Sequence, residues 1–243
     1  MTGEDVTSDA PVGQPASAAT LPRVWAGIRG RMLPSFAHPN FVRLWRANTG
    51  ATTAHFVQSV AQGWLVVQLT DSPFTLGLLS FFQSIPMLVL SPVGGLLADR
   101  LSRPRLLMVA QGVNGVAALV IGTLVATGSI AVWHLAISAT LSGAMFAISV
   151  PARYALISES VPRDLVRNAV ALNATTMNFA RVIGPAIAGF IIGMAGIAAA
   201  YFAQLGGYVW AVLNVSRIDA DDARPRAQGS PLSILREGFR YVA

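Results

Sequence analysis

Sixteen of the seventeen basic residues, all of them arginine, fall in four clusters that alternate with arginine-free connections along an otherwise apolar chain. Five precede the first apolar run (Arg23, Arg29, Arg31, Arg43, Arg46) and three follow the second (Arg100, Arg103, Arg105). Three more follow the fourth run (Arg153, Arg163, Arg167), and five follow the sixth (Arg217, Arg224, Arg226, Arg236, Arg240). Cytoplasmic loops of membrane proteins hold the excess of arginine and lysine, so every cluster is expected on the cytosolic side. Only an even number of spans, with both termini inside, satisfies that alternation.

A helix that crosses the ~30 Å hydrocarbon layer needs about 20 mainly apolar residues. Six stretches qualify: 47–69, 74–98, 106–127, 131–150, 169–193 and 197–215. The outward connections, 70–73, 128–130 and 194–196, are short, which predicts that sequential helices are antiparallel neighbours. The fourth helix is expected to run past Pro151 toward Ile157, bent where proline removes a backbone donor. Within 40–46, Phe41, Leu44 and Trp45 accompany Arg43 and Arg46, the composition of an interfacial anchor.

The expected organisation has three parts. Residues 1–39 read as a disordered cytosolic tail and interfacial segment, with neither the basic start nor the apolar h-region of a signal peptide. Residues 40–217 form the transmembrane bundle. Residues 218–243 begin as a polar loop; Ser230 and Pro231 then open an amphipathic helix with Leu232, Leu235, Phe239 and Val242 on one face, leading toward a missing seventh span.

Charged residues make up only 12% of the chain, against about 25% in soluble domains. The formal net charge of +6 would point to nucleic acid in a soluble protein, but here the arginines flank membrane segments, so the bilayer is the partner and no nucleic acid is expected. Absence of cysteine excludes disulfides, thiolate metal sites and a cysteine nucleophile. There is no Walker loop, no H-E-x-x-H and no paired intramembrane acid, so neither an enzyme nor a cofactor or metal is expected. Arginine replaces lysine throughout, and alanine and glycine are abundant, a composition that fits a bacterial inner-membrane protein.

Polar residues inside the spans are the candidates for function. In the first span Asn48, Thr52, His55, Ser59 and Gln62 recur at helical spacing as one stripe, with Gln58 beside it, and such a stripe lines a cavity or a helix contact. His55 either couples protons or is packed through hydrogen bonds. Arg181 lies twelve residues from each end of its span, roughly 18 Å deep. An arginine there costs at least about 2.5 kcal/mol on insertion scales, so it faces protein or water. It binds an anionic group or senses a proton carrier, or it is a structural arginine bonded to carbonyls or to Asn178.

The link between the second and third spans reads Gly95-Leu96-Leu97-Ala98-Asp99-Arg100-Leu101-Ser102-Arg103-Pro104-Arg105. It resembles the signature loop of the major facilitator superfamily, G-x-x-x-D-R-x-G-R-R/K, with Ser102 for the second glycine and Pro104 displacing the last basic residue. Pro151-Ala152-Arg153, Glu159, Asn168-Ala169, Asn173, Asn178, Ala180-Arg181, Gly184-Pro185 and Gly189 are similar to the bacterial branch that includes the enterobactin exporter.

The resemblance covers 41–243, about the N-terminal six-helix half of a twelve-helix transporter. It implies an all-α membrane protein with six transmembrane helices, N-in and C-in, working by alternating access. It also implies helices one and four around the cavity, two and five toward the other half, and three and six toward lipid. Gly95, Asp99, Arg100 and Arg103 would form a conformational latch, with Asp99 facing a helix N-terminus of the other half; the alternative is Asp99 paired only with Arg100 or Arg103. Gly184, Pro185 and Gly189 resemble the fifth-helix bend and packing motif of antiporters, or are ordinary small-residue packing. Ala139 stands where many proton-coupled relatives carry arginine.

The implied function is secondary active transport, proton-coupled efflux of a small amphipathic molecule of siderophore or drug type. It would be incomplete without a C-terminal half or a homodimer. The alternatives are an accessory membrane protein that associates with a full-length carrier, and an importer.

Overall fold

The computed structural model describes residues 33–70 and 72–218. The chain divides into two units, Met1–Pro34 and Ser35–Ala243, and every described α-helix belongs to the second. Most of the expected tail, and all but the first residue of the 218–243 loop and amphipathic helix, lie outside the described residues.

Five helices are present among the described residues: α1 (Pro39–Thr70), α2 (Pro73–Arg100), α3 (Arg103–Ala126), α4 (Val132–Glu159) and α5 (Val166–Val215). Prolines open α2 and α3 in the first turn, where no backbone donor is lost. The segments Pro73–Arg100, Arg103–Ala126, Val132–Glu159 and Arg163–Val215 are long and apolar enough to cross a membrane. Helix α1, with its polar stripe, is not among them. The α4 helix does continue through Pro151, as expected, and ends at Glu159.

Helix α5 contains 50 residues, about 75 Å if straight and more than twice the hydrocarbon thickness. It is broken at Gly196, whose φ of 81° and ψ of 175° are open to glycine and strained for any other residue. The contacts with α1 show what the break does. Trp45 Nε1 donates to Thr176 Oγ1 at 2.8 Å, and Phe56 packs on Gly184, so the first arm runs parallel to α1. Gly50 packs against Gly207, and Gln204 Nε2 donates to Gln58 Oε1 at 2.8 Å, so the second arm runs antiparallel to it. The chain therefore doubles back at Gly196, a tighter reversal than the expected 194–196 connection.

The expectation that helices joined by a short outward link adjoin holds for α3 and α4, which pack together, and is corrected for α1 and α2. Helix α1 packs chiefly on the two arms of α5, and α2 chiefly on α4, while α1 and α2 scarcely touch. A short link fixes antiparallel direction but not the face that packs. In lipid, that choice falls to small residues that let backbones approach. A Cβ on Gly143 would collide with the Gln83 carbonyl, and one on Gly94 with the Ala147 carbonyl, which locks α2 to α4. On Gly184 it would lie 2.5 Å from Phe56 Cβ, which fixes α1 to α5.

The 40–46 segment is likewise no separate interfacial anchor. It forms the first turns of α1, with Phe41 and Leu44 fully buried. Phe36 stacks edge-on against both Phe41 and Trp45.

The molecule is apolar outside and partly polar within. Phe74, Leu88, Val116 and Phe179 are more than 60% exposed, whereas Asn48, Gln58, Asn173 and Gln204 are buried. Two apolar clusters fill opposite lengths of the bundle, one around Leu44, Leu107, Ile157 and Val215, the other around Val57, Ile121, Leu135 and Tyr201. Between them, on every helix except α2, lie the residues of a polar cavity.

Candidate functional site: a basic cavity between two apolar clusters

The cavity has a volume of about 240 Å³. Helix α1 contributes Thr52, His55 and Phe56, and α3 contributes Gln111 and Asn114. Helix α4 presents Ser142, Phe146, Ser149 and Arg153, while Met177, Arg181 and Tyr208 come from the two arms of α5. Arg153 is buried, 6% exposed, and its Nε has no hydrogen-bond partner. Thr52 Oγ1 is buried and unpartnered as well. Arg181 is an exposed residue whose guanidinium carbon lies 5.9 Å from the centroid of the Phe56 ring, within cation–π reach. The His55 ring stands 5.8 Å from that of Phe146. No aspartate or glutamate lines the cavity.

Of the residues predicted for a cavity, the structure brings Thr52, His55 and Arg181 together. Asn48 instead donates to Asn173 Oδ1 at 3.0 Å, and Gln58 accepts from Gln204, so these two join α1 to the arms of α5. Gln62 is half-buried one to two turns beyond the cavity, and Asn178 is exposed and is not bonded to Arg181. The single stripe on α1 thus serves two surfaces, because a 32-residue helix in a bundle faces more than one neighbour.

Arg153 is the residue that the sequence reading misplaced, among the cytosolic arginines. The signal was present: Ser138, Ser142, Ser149 and Arg153 recur at helical spacing, and a helix that continues past Pro151 carries Arg153 inward. An inward arginine therefore exists on α4, though not at Ala139, which is fully buried.

At the α2–α3 link, Arg103 Nε donates to the Ala98 carbonyl at 3.2 Å, and its guanidinium pairs with Glu159 at the end of α4. This arginine caps the last turn of α2 and ties two links of one face together. Asp99 is exposed, and Arg103, one of its two possible partners, is engaged elsewhere. Gly95 faces open space; the tight helix contact belongs to its neighbour Gly94. In the α5 motif, Gly184 makes a close helix contact and Pro185 lies inside the helix, but Gly189 is exposed with nothing near it. Among the described residues no group of histidine and acidic side chains is placed to hold a metal ion.

Comparison with known proteins places these features in context. The family described as transmembrane secretion effector, within the major facilitator superfamily, matches residues 31–243. The chain is 26% identical over 194 residues to the staphyloferrin A transporter of Staphylococcus aureus, covering 76% of this chain and 48% of that protein. It is 26% identical over 207 residues to the enterobactin exporter EntS of Escherichia coli, covering 84% of this chain and 49% of the exporter. An uncharacterised transporter of the same superfamily from Bacillus subtilis, YfiS, is 24% identical over 180 residues, 72% of this chain and 42% of its own. The chain spans about half the length of the curated relatives it matches. With an all-helical bundle, apolar outside and polar at its centre, this chain belongs to the transmembrane secretion effector family of major facilitator transporters.

Proposed function

We propose that the bundle is the substrate-binding half of a proton-coupled exporter of small amphipathic molecules of siderophore type, working by alternating access in a bacterial inner membrane. The observation that carries this reading is the basic cavity enclosed between two apolar clusters in a chain of a secretion family. Six crossings with both termini inside are supported by the reversal at Gly196 and by the alternation of arginine clusters. A second half, from further chain or another copy, is proposed to complete the path, since the match covers only 48% and 49% of the two relatives' lengths. Asp99, exposed at the end of α2, is then positioned as the latch toward that half.

The relatives named for staphyloferrin A and enterobactin supply the test substrates. Everted membrane vesicles carrying the chain together with that second half are expected to accumulate one of them when a proton gradient is imposed, and to lose it on adding a protonophore. Accumulation only in right-side-out vesicles would assign import. None in either, with the chain and the second half both verified in the membrane, would assign an accessory, non-transporting role.

A further inference from the structure

We infer that the cavity is a subsite for one carboxylate, or a comparable oxyanion, carried on an apolar ring and held between Arg153 and Arg181; as a statement about cargo it rests on the export reading. Two donors on residues that line this cavity, Arg153 Nε and Thr52 Oγ1, are buried without partners. A buried guanidinium without a counter-ion is a costly arrangement that an entering anion relieves. The chain supplies no such anion itself, since no acidic side chain lines the cavity. Arg181, at the exposed rim, is held by the Phe56 ring rather than by a carboxylate, which leaves its fork of donors open to a ligand.

Chemistry narrows the class further. A planar guanidinium matches a carboxylate in a bidentate pair, and two of them disfavour any cation. Phe56 and Phe146 supply apolar walls beside the donors, which suits a ring attached to the charged group. At roughly 30 Å³ per water, the 240 Å³ volume equals about eight waters, enough for a substituted ring and below the range of sites that enclose drug-sized ligands. A larger cargo would enter by one anionic arm.

The test is binding of benzoate and benzamide to the purified full chain in lipid nanodiscs, read by saturation-transfer NMR. Benzoate is expected to bind, and benzamide, which keeps the ring and loses the charge, to bind at least tenfold more weakly. Arg153→Gln and Arg181→Gln are each expected to weaken benzoate at least tenfold and leave benzamide unchanged. Arg181 is exposed, so its variant keeps the test valid should Arg153→Gln fail to fold.

Equal binding of the two probes, or benzoate binding indifferent to Arg181→Gln, would overturn the inference. So would displacement of benzoate by an equal concentration of chloride, which would mark an unselective halide site. The measurement involves no transport, so loss of the export reading leaves it standing, and its own failure leaves export untouched.

Discussion

Arg103 illustrates how single residues hold this fold. It caps the last turn of α2 through the Ala98 carbonyl and pairs with Glu159 across the face, both side chains less than a quarter exposed. Removing Arg103 takes one charged partner from Glu159 and the cap from the last turn of α2, so Arg103→Ala is expected to lower stability by about 1 to 3 kcal/mol. A double-mutant cycle with Glu159→Ala, measured as thermal unfolding in detergent, checks it; additive losses would contradict the coupling. Thr52 is the opposite case, a buried hydroxyl without a partner. Thr52→Val is expected to leave unfolding unchanged or raise stability by up to about 1 kcal/mol, since no hydrogen bond is lost. Legibility at this scale was uneven. Depth along the chain made Arg181 stand out, because the cost of an arginine in hydrocarbon is independent of tertiary structure. Arg153 was hidden among cytosolic arginines because a proline two residues earlier resembles the end of a span.

Among the elements, glycines decide which helices meet. Gly143→Ala would drive a methyl group into the Gln83 carbonyl and force α2 from α4, a loss of about 1 to 3 kcal/mol. Gly189→Ala meets nothing and is expected to stabilise α5 by up to about 1 kcal/mol. Gly196→Ala would place a side chain at φ 81° and cost on the order of 1 to 3 kcal/mol. Unfolding curves of the three variants in one detergent test the set, and a neutral Gly143→Ala would contradict the packing account. The apolar helices α2 to α5 were legible because apolar run length is set by the bilayer, whereas the polar stripe of α1 takes it below that measure. Their pairing was not, because sequence proximity says nothing about which small residues match; Gly94 and Gly143 gain meaning only when the backbones they admit are known.

For the whole molecule, the arrangement is that of a membrane-transporter bundle, with exposed apolar side chains such as Val116 and Val120 outside and a basic cavity at the core. The signature loop pointed to the family, because it reflects a constraint on a loop rather than on packing. Asp99→Ala is expected to impair transport without altering membrane abundance, and unimpaired transport would remove the latch from the account. The central claim, water at the middle and lipid at the rim, is tested most directly by single cysteines, which this cysteine-free chain makes unambiguous. Ser142→Cys and Ser149→Cys in native membranes are expected to react with a membrane-impermeant anionic thiol reagent, and Val116→Cys and Val120→Cys, exposed on α3, only with a lipid-soluble maleimide. Aqueous labelling at Val116 and Val120, with none at Ser142 and Ser149, would contradict it.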